Sequence, residues 1–253
     1  MNKYHRKEKI LDYISGKNSS SIDELMQHFS VSVSTIHRDL NMLEREGRIE
    51  KVYGRAMLKE EKVLYRSRID VNVELKKKIA KKALQFIENG DCIFLDQSTT
   101  SFYLAEALCS SGFNNILVIS NSAFLSDLFL KNEKIDLVVT GGMLNKELNC
   151  FIGPQTIKTI NDFNANKFFL SSSYVSVKGG ISDIYQIDII EVKLKMLQKS
   201  KESFLMVDST KFGKTGSSKY FELSEMDYII TDSKILESEV QAFKRNGSQL
   251  IIA

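Results

Sequence analysis

Residues 32–48 read SVSTIHRDLNMLEREGR, and the reading of this stretch decides the N-terminal architecture. Ser32 is suited to cap a helix on which Ile36, Leu40 and Leu43 recur at helical spacing. The first turn carries Ser34, Thr35, His37 and Arg38. A helix start has free N–H groups and positive partial charge, which suit a phosphate backbone. His37 and Arg38 have the donors to reach base edges in a major groove. Gly47 supplies the stop. A capped surface helix of any α-rich domain shares this pattern, so the flanking residues carry the discrimination.

Upstream, residues 4–15 place Ile10, Leu11 and Ile14 on one face of a first helix that ends near Gly16. Ser21-Ile22-Asp23-Glu24 then forms a capping box, in which hydroxyl and carboxylate each satisfy a free N–H of the other residue. It opens a second helix bearing Ile22, Leu25, Met26 and Phe29. Two capped helices joined by the short turn Ser30-Val31 make a helix-turn-helix, the second presenting polar residues at its start. Downstream, residues 48–58 alternate Ile49, Val52 and Met57 with charges and predict a β-hairpin beside the helices. A solvated hairpin is the plainer reading; as a wing it would bring Lys51, Tyr53 and Arg55 to phosphates. The candidate DNA contacts are therefore Ser21, Ser32, Ser34, Thr35, His37, Arg38, Lys51, Tyr53 and Arg55.

Charge agrees with this division. Residues 1–72 hold 14 Lys+Arg against 11 Asp+Glu, so the net +3 of the chain lies there, and the other 21 (35 less 14) and 21 (32 less 11) cancel. The three histidines lie in the same quarter. A basic first segment and a neutral remainder fit nucleic acid at one end only. The 253 residues predict a winged helix-turn-helix over 1–58, a charge-rich linker over 59–74 leading into a connecting helix, and an α/β domain over 75–253. Lys76-Lys77-Lys78 and Lys81-Lys82 read as the solvated face of a helix whose inner side is Ile79, Ala80, Ala83, Leu84 and Ile87. No apolar run reaches the roughly 20 residues of a bilayer span. The N-terminus has no apolar signal region, and scattered Cys92, Cys109 and Cys150 fit reduced, buried thiols, so a cytoplasmic protein without a membrane partner is expected.

Beyond Gly90, short apolar runs alternate with helical stretches. Runs ending before Asp96, Ser120-Asn121, Thr140-Gly141-Gly142, Ser171-Ser172-Ser173, Asp208 and Thr231-Asp232 look like strands buried on both faces. They predict a mainly parallel α/β sheet with a polar crevice at the strand ends, although polar strand-to-helix loops are common in any case. Asp96 suits sugar hydroxyls, while Thr99 and Thr100 at a helix start suit phosphate. Gly141-Gly142 allows close backbone approach, Lys211 adds a charge after a strand, and Lys193 lies on a helix whose apolar side is Ile190, Leu194 and Leu197. Together these describe a polyol carrying a phosphate. Residues 73–253 contain no histidine, so neither a Ser/His/Asp set nor a histidine metal site can be built there. No catalytic residue, metal or cofactor is assigned.

Over nearly its whole length the chain resembles the DeoR family of bacterial transcription regulators. VSVSTIHRDLNMLEREGRI is close to that family's helix-turn-helix signature, and IFLDQSTT, VISNS, Gly141-Gly142, Gly153-Pro154, the EVK of residues 191–193 and DSTKFG match its sensing domain. That domain is similar to folds of the sugar-phosphate isomerase and CoA-transferase type. The resemblance implies a non-enzymatic, homo-oligomeric repressor (dimer or tetramer) of carbohydrate genes, released from double-stranded operator DNA by a phosphorylated sugar. It implies effector contacts at Asp96, Thr99, Thr100, Ser120, Asn121, Gly141, Gly142, Lys193 and Lys211, with Ser98 standing where the family has glycine. The family's two arginines are here His37-Arg38, its His-Gly-Gly-Ala wing is Tyr53-Gly54-Arg55-Ala56, and its glycine-containing loop after the fourth strand is Ser171-Ser172-Ser173-Tyr174. These departures predict a different operator and a narrower crevice. The competing functions are a sugar-phosphate isomerase-like enzyme and a regulator whose sensing domain only oligomerises.

Overall fold

The computed structural model describes residues 6–7, 9–11, 13–14, 19–45, 49–52, 55–58, 65–130, 132–183 and 187–253. The chain divides into two compact units, Met1–Val63 and Leu64–Ala253.

In the first unit the described residues between 6 and 14 are helical (α1). They are followed by β1 (Ser19–Ser21), α2 (Ile22–Phe29), α3 (Val33–Arg45), β2 (Ile49–Val52) and β3 (Arg55–Leu58). The capping box is formed: Glu24 N–H donates to Ser21 Oγ at 3.1 Å and Ser21 N–H to Glu24 Oε2 at 2.7 Å. Thr35 N–H donates to Ser32 Oγ at 3.4 Å at the start of α3. The expected hairpin is β2–β3, with β1 added antiparallel to β3. Ile10, Leu11, Ile14, Leu25, Ile36, Leu40, Leu43, Ile49 and Ala56 form one core. Among them lies a charge pair with no obvious sign in the sequence. Asp39, fully buried on α3, accepts from Arg6 Nε at 2.5 Å and Arg6 Nη2 at 3.2 Å. Gly47, Tyr53 and Gly54 lie outside the described residues.

The second unit begins with α4 (Tyr65–Ile69) and α5 (Val73–Ala83). The stretch 59–74 is thus not linker throughout, because from Tyr65 onward it is folded into the second unit and Tyr65 is buried. The strands are β4 (Cys92–Leu95), β5 (Ile116–Ser120), β6 (Ile135–Val139), β7 (Met143–Asn145), β8 (Cys150–Ile152), β9 (Ala165–Leu170), β10 (Tyr174–Ser176), β11 (Gly180–Asp183), β12 (Ser200–Met206), β13 (Ser218–Phe221), β14 (Tyr228–Thr231) and β15 (Leu250–Ile252). Between them run α6 (Thr99–Cys109), α7 (Leu125–Phe129), α8 (Pro154–Asn161), α9 (Ile187–Gln198) and α10 (Glu237–Arg245).

Seven strands form a wholly parallel sheet in the order β15-β14-β12-β9-β4-β5-β6. All six apolar runs read from the sequence are in it. Their alternate residues feed opposite cores: Ile93 and Leu95 pack with Ile79, Ala83 and Leu104, whereas Phe94 packs with Val192, Met196 and Phe243. Helices therefore cover both faces, as a buried parallel sheet requires. The chain leaves β4 toward β5 on one side and later fills β9 on the other, so strand order reverses between β4 and β9. In open sheets of this kind, ligands bind at the carboxyl ends where that reversal opens a crevice. The hairpin β7–β8 and the sheet β10-β11-β13 lie outside the main sheet.

Candidate functional site

On α3, Ser34, His37, Arg38 and Asn41 are all exposed, spaced three, four and seven residues from the first, and so share one face. The opposite side, Ile36, Asp39, Leu40 and Leu43, is buried. Ser32 Oγ lies 3.0 Å from Ser34 Oγ and 2.9 Å from Thr35 Oγ1, a hydroxyl cluster at the helix start. Two basic residues assigned to phosphates have protein partners. Lys51 donates to Asn41 and pairs with Glu44 at 2.9 Å, tying the wing to α3, and Arg55 meets Glu24 at 3.5 Å. Ser21 is occupied as a cap. Asn41 was not singled out from the sequence; its spacing from Ser34 and His37 was the available signal.

In the second unit, the residues after β4, β5, β9 and β12 converge on the carboxyl ends of the sheet. Asp96 sits at the strand-order reversal and is filled by donors: Ser98 N–H at 3.0 Å, Ser101 Oγ at 2.6 Å and Ser171 N–H at 3.0 Å, with Lys193 Nζ 3.6 Å away. Ser98 caps α6, accepting from Ser101 N–H at 3.1 Å. Thr99 and Thr100 are buried in the first turn of that helix. Ser120 donates to the Leu95 carbonyl at 2.7 Å, locking β5 to β4, and Asn121 Nδ2 donates to the Phe151 carbonyl at 3.1 Å.

Lys193 is not a free cation. The buried side of α9 is Ile189, Val192, Lys193 and Met196, and the expected Ile190, Leu194 and Leu197 stripe is only partly buried. Lys193 Nζ donates to the Ser171 carbonyl at 2.6 Å and to Asp183 Oδ2 and Tyr220 Oη at 3.2 Å each. It also lies 5.1 Å from the centre of the Tyr220 ring. Burial would raise the Asp183 carboxyl, but Lys193 and hydrogen bonds from Ser173 and Tyr220 outweigh it and hold it below the usual range. Burial and Asp183 push the Tyr220 phenol well up. Asp96 and Lys193, both buried, and Asp183 and Tyr220, half-buried, thus form a polar lock between β4, β11, α9 and β13.

The glycine pair has reasons inside the fold. Gly141 has φ +63°; a Cβ on Gly142, at φ +117°, would stand 2.7 Å from the Ile152 carbonyl. The Gly141 carbonyl accepts from Thr156 Oγ1 at 2.7 Å. This pair lets the β6–β7 turn pack on α8. Lys211, half-buried, ends a short 3₁₀ turn capped by Asp208.

Three residues around the crevice escaped sequence reasoning. Lys76, read as solvated, is buried; its Nζ donates to the Arg68 carbonyl at 2.6 Å. Burial, opposed by Asp208 and reinforced by Lys211 and Arg68, lowers its pKa to about 8. Tyr65 stacks on Phe124 at 4.8 Å and its N–H donates to the Glu147 carbonyl at 3.1 Å. Arg68 lies between them on α4. The helical period of α5 does not predict the burial of Lys76 or its lowered pKa, because these depend on the preceding segment and on Asp208 and Lys211, which the fold brings near.

Cys150 is buried and its thiol is pushed up to about 12 by burial, whereas Cys92 and Cys109 are only half-buried, a departure from the expected fillers. Among the described residues no helix is long and apolar enough to cross a membrane.

Models of two families match the chain: a DeoR-like helix-turn-helix domain over residues 6–62 and a DeoR C-terminal sensor domain over residues 71–233. The chain belongs to the DeoR family. It is 33% identical over 242 residues to the uncharacterized HTH-type transcriptional regulator YulB of Bacillus subtilis, covering 94% of this chain and 92% of that one. It is 30% identical to the L-fucose operon activator of Haemophilus influenzae, with 91% and 92% coverage. To the lactose phosphotransferase system repressor of Staphylococcus epidermidis it is 29% identical, with 94% and 96% coverage. Among solved structures, a D-ribose-5-phosphate isomerase in complex with phospho-erythronic acid matches at TM-score 0.42 and 16% identity, over 55% of this chain and 54% of that one. This DeoR-family chain therefore combines a DNA-binding domain with a sensor domain, and its relatives include regulators of sugar operons of both signs.

Proposed function

We propose that the chain is a sequence-specific repressor of carbohydrate genes that binds operator DNA through α3 and is released by a phosphorylated sugar seated at the carboxyl ends of β4, β5, β9 and β12. The observation that carries the reading is the set of buried polar residues after β4, β5, β9 and β12 at the strand-order reversal, in a chain that also carries a winged helix-turn-helix. Ser34, His37, Arg38 and Asn41 face the bases, and the hydroxyls of Ser32 and Thr35 face phosphate. Tyr53 and Arg55 belong to the wing. Lys51 positions α3 and the wing through Asn41 and Glu44. In the crevice, Thr99, Thr100 and Lys211 serve the phosphate, and Asn121 serves sugar hydroxyls. Asp96, Ser98, Ser120, Gly141, Gly142 and Lys193 shape the walls. A homo-oligomer, dimer or tetramer, matches a palindromic operator. Cytoplasmic location follows from that role.

Catalysis is the weaker alternative. A general base needs an open acceptor poised for a substrate proton, and Asp96 is saturated by protein donors.

The test is binding of the full chain to DNA upstream of its own gene, with and without a panel of sugar phosphates. We expect specific binding that a phosphosugar weakens. Arg38→Ala should cost about 1–3 kcal/mol of operator affinity, the value of a bidentate base contact. Unchanged operator affinity in that variant would remove α3 as the reader. Turnover of any phosphosugar would favour the enzyme.

A further inference from the structure

Helix α4 brings to the sheet ends two buried side-chain polar atoms, Tyr65 Oη and Arg68 Nε, that no group of the protein satisfies. Seven buried side-chain polar atoms among the described residues lack a hydrogen-bond partner, and four of them, Tyr65 Oη, Arg68 Nε, Gln97 Oε1 and Asn121 Oδ1, border this region. Tyr65, Gln97 and Asn121 are 1%, 6% and 0% exposed. Leaving such atoms unpaired is costly, and each asks for an explanation at its place in the fold.

The geometry locates them together. Gln97 follows β4 and Asn121 follows the adjacent β5. Tyr65 is stacked on Phe124, three residues beyond Asn121, and its hydroxyl feels the charges of Asp96 and Arg68. Tyr103 Oη donates to the Ile69 carbonyl at 3.1 Å, which pins the end of α4 to α6. Past α4, Asn72 Nδ2 reaches Asp208 Oδ1 at 3.4 Å, at the end of β12. The segment 65–76 therefore runs across the sheet ends from β5 to β12, over the reversal at β4 and β9. Along it lie Arg68 and Lys76, with Lys211 close enough to depress the Lys76 pKa.

The chemistry of the unused atoms is specific. Two amide oxygens accept from hydroxyls, a phenol accepts and donates, and a guanidinium N–H donates to an anion. We infer that α4 is part of the effector site, with Arg68, aided by Lys76 and Lys211, seating the anionic group and with Tyr65, Gln97 and Asn121 reading the polyol. The inference rests on the phosphosugar reading above and adds its route of regulation. α4 starts at Tyr65, and the DNA-binding unit ends at Val63. A ligand that grips α4 thus acts on the chain at its exit into that unit.

The test is calorimetric titration of the full chain with fructose 1-phosphate, fructose 6-phosphate, glucose 6-phosphate, galactose 6-phosphate, their unphosphorylated sugars and inorganic phosphate. Arg68→Gln should weaken the phosphosugar that wild type binds by at least about tenfold, the worth of one charged hydrogen bond, with Lys78→Gln on the exposed face as control. Arg68→Lys retains the charge without Nε and should recover only part of that loss. Tyr65→Phe retains the stacked ring and should weaken the same ligand several-fold. Two glycines inserted between residues 63 and 64 should leave ligand affinity as in wild type but blunt ligand-driven release of DNA. Wild-type affinity in both Arg68 variants overturns the inference while leaving the phosphosugar reading intact. Undiminished release in the insertion variant overturns the route. Failure of wild type to bind any of the phosphosugars removes both the reading and the inference.

Discussion

Asp39 and Arg6 carry the sharpest residue-scale test in the DNA-binding unit. The carboxylate is fully buried and takes two hydrogen bonds from one guanidinium. Asp39→Ala leaves a cation in the interior without its counter-charge, and urea unfolding should report a loss of about 3–5 kcal/mol. Lys76 offers a pH test. Its pKa falls from 10.5 to about 8, because burial outweighs Asp208 and Asp70 and because Lys211 and Arg68 repel it. Below that value the ammonium is charged in both states and the folded protein bears the cost of burying it. Between about 8 and 10.5 the folded state releases the proton first, so the unfolded chain holds more protons and stability rises with pH. The full rise is on the order of 3 kcal/mol. Unfolding of Lys76→Met should lack this rise, whereas Lys78→Met, altered on the exposed face, should retain it.

Elements show where local rules suffice. The capping box, the α3 stripe and six strands of the main sheet were legible because each depends on residues close in sequence: a hydroxyl three positions from a carboxylate, or a run of apolar residues. The short strands β1, β7, β10 and β15 were not legible. Each has three residues and exists by pairing with a partner set by the fold. The glycine pair also has a packing reason that no local pattern shows, since Gly142 makes room for the Ile152 carbonyl of its own chain. Gly142→Ala should lower stability by about 1–3 kcal/mol through strain, with the clash added. Gly141→Ala meets no atom within 4 Å, so its loss should stay near the ~1 kcal/mol of a left-handed residue. Unfolding midpoints of the two variants check the order.

The whole molecule consists of two units with separate cores, one around Leu25, Ile36 and Leu40 and the others on the two faces of the parallel sheet. A fragment of residues 64–253 should therefore fold cooperatively and bind the same ligands as the full chain within about twofold, because its cores are built from its own residues. It should have no operator affinity. Circular dichroism and calorimetry on the fragment measure both. A fragment cut at residue 75, as the linker reading suggests, would lose α4 and with it Tyr65 and Arg68.

By itself the sequence determined the winged helix-turn-helix, the parallel α/β class, the basic N-terminal bias and the polar strand ends. All of these follow from periodicity, capping and local composition. The tertiary structure alone decided which polar groups are spent and which are free. Lys193 looked available on its helix, yet it is held by Asp183, ten residues away, by Ser171 and by Tyr220. Lys76 and Arg68 looked like surface and linker, yet they lie at the sheet ends. Burial and ion pairing are set by which distant segments meet, and a charge reads the same in sequence whether it faces water or a carboxylate.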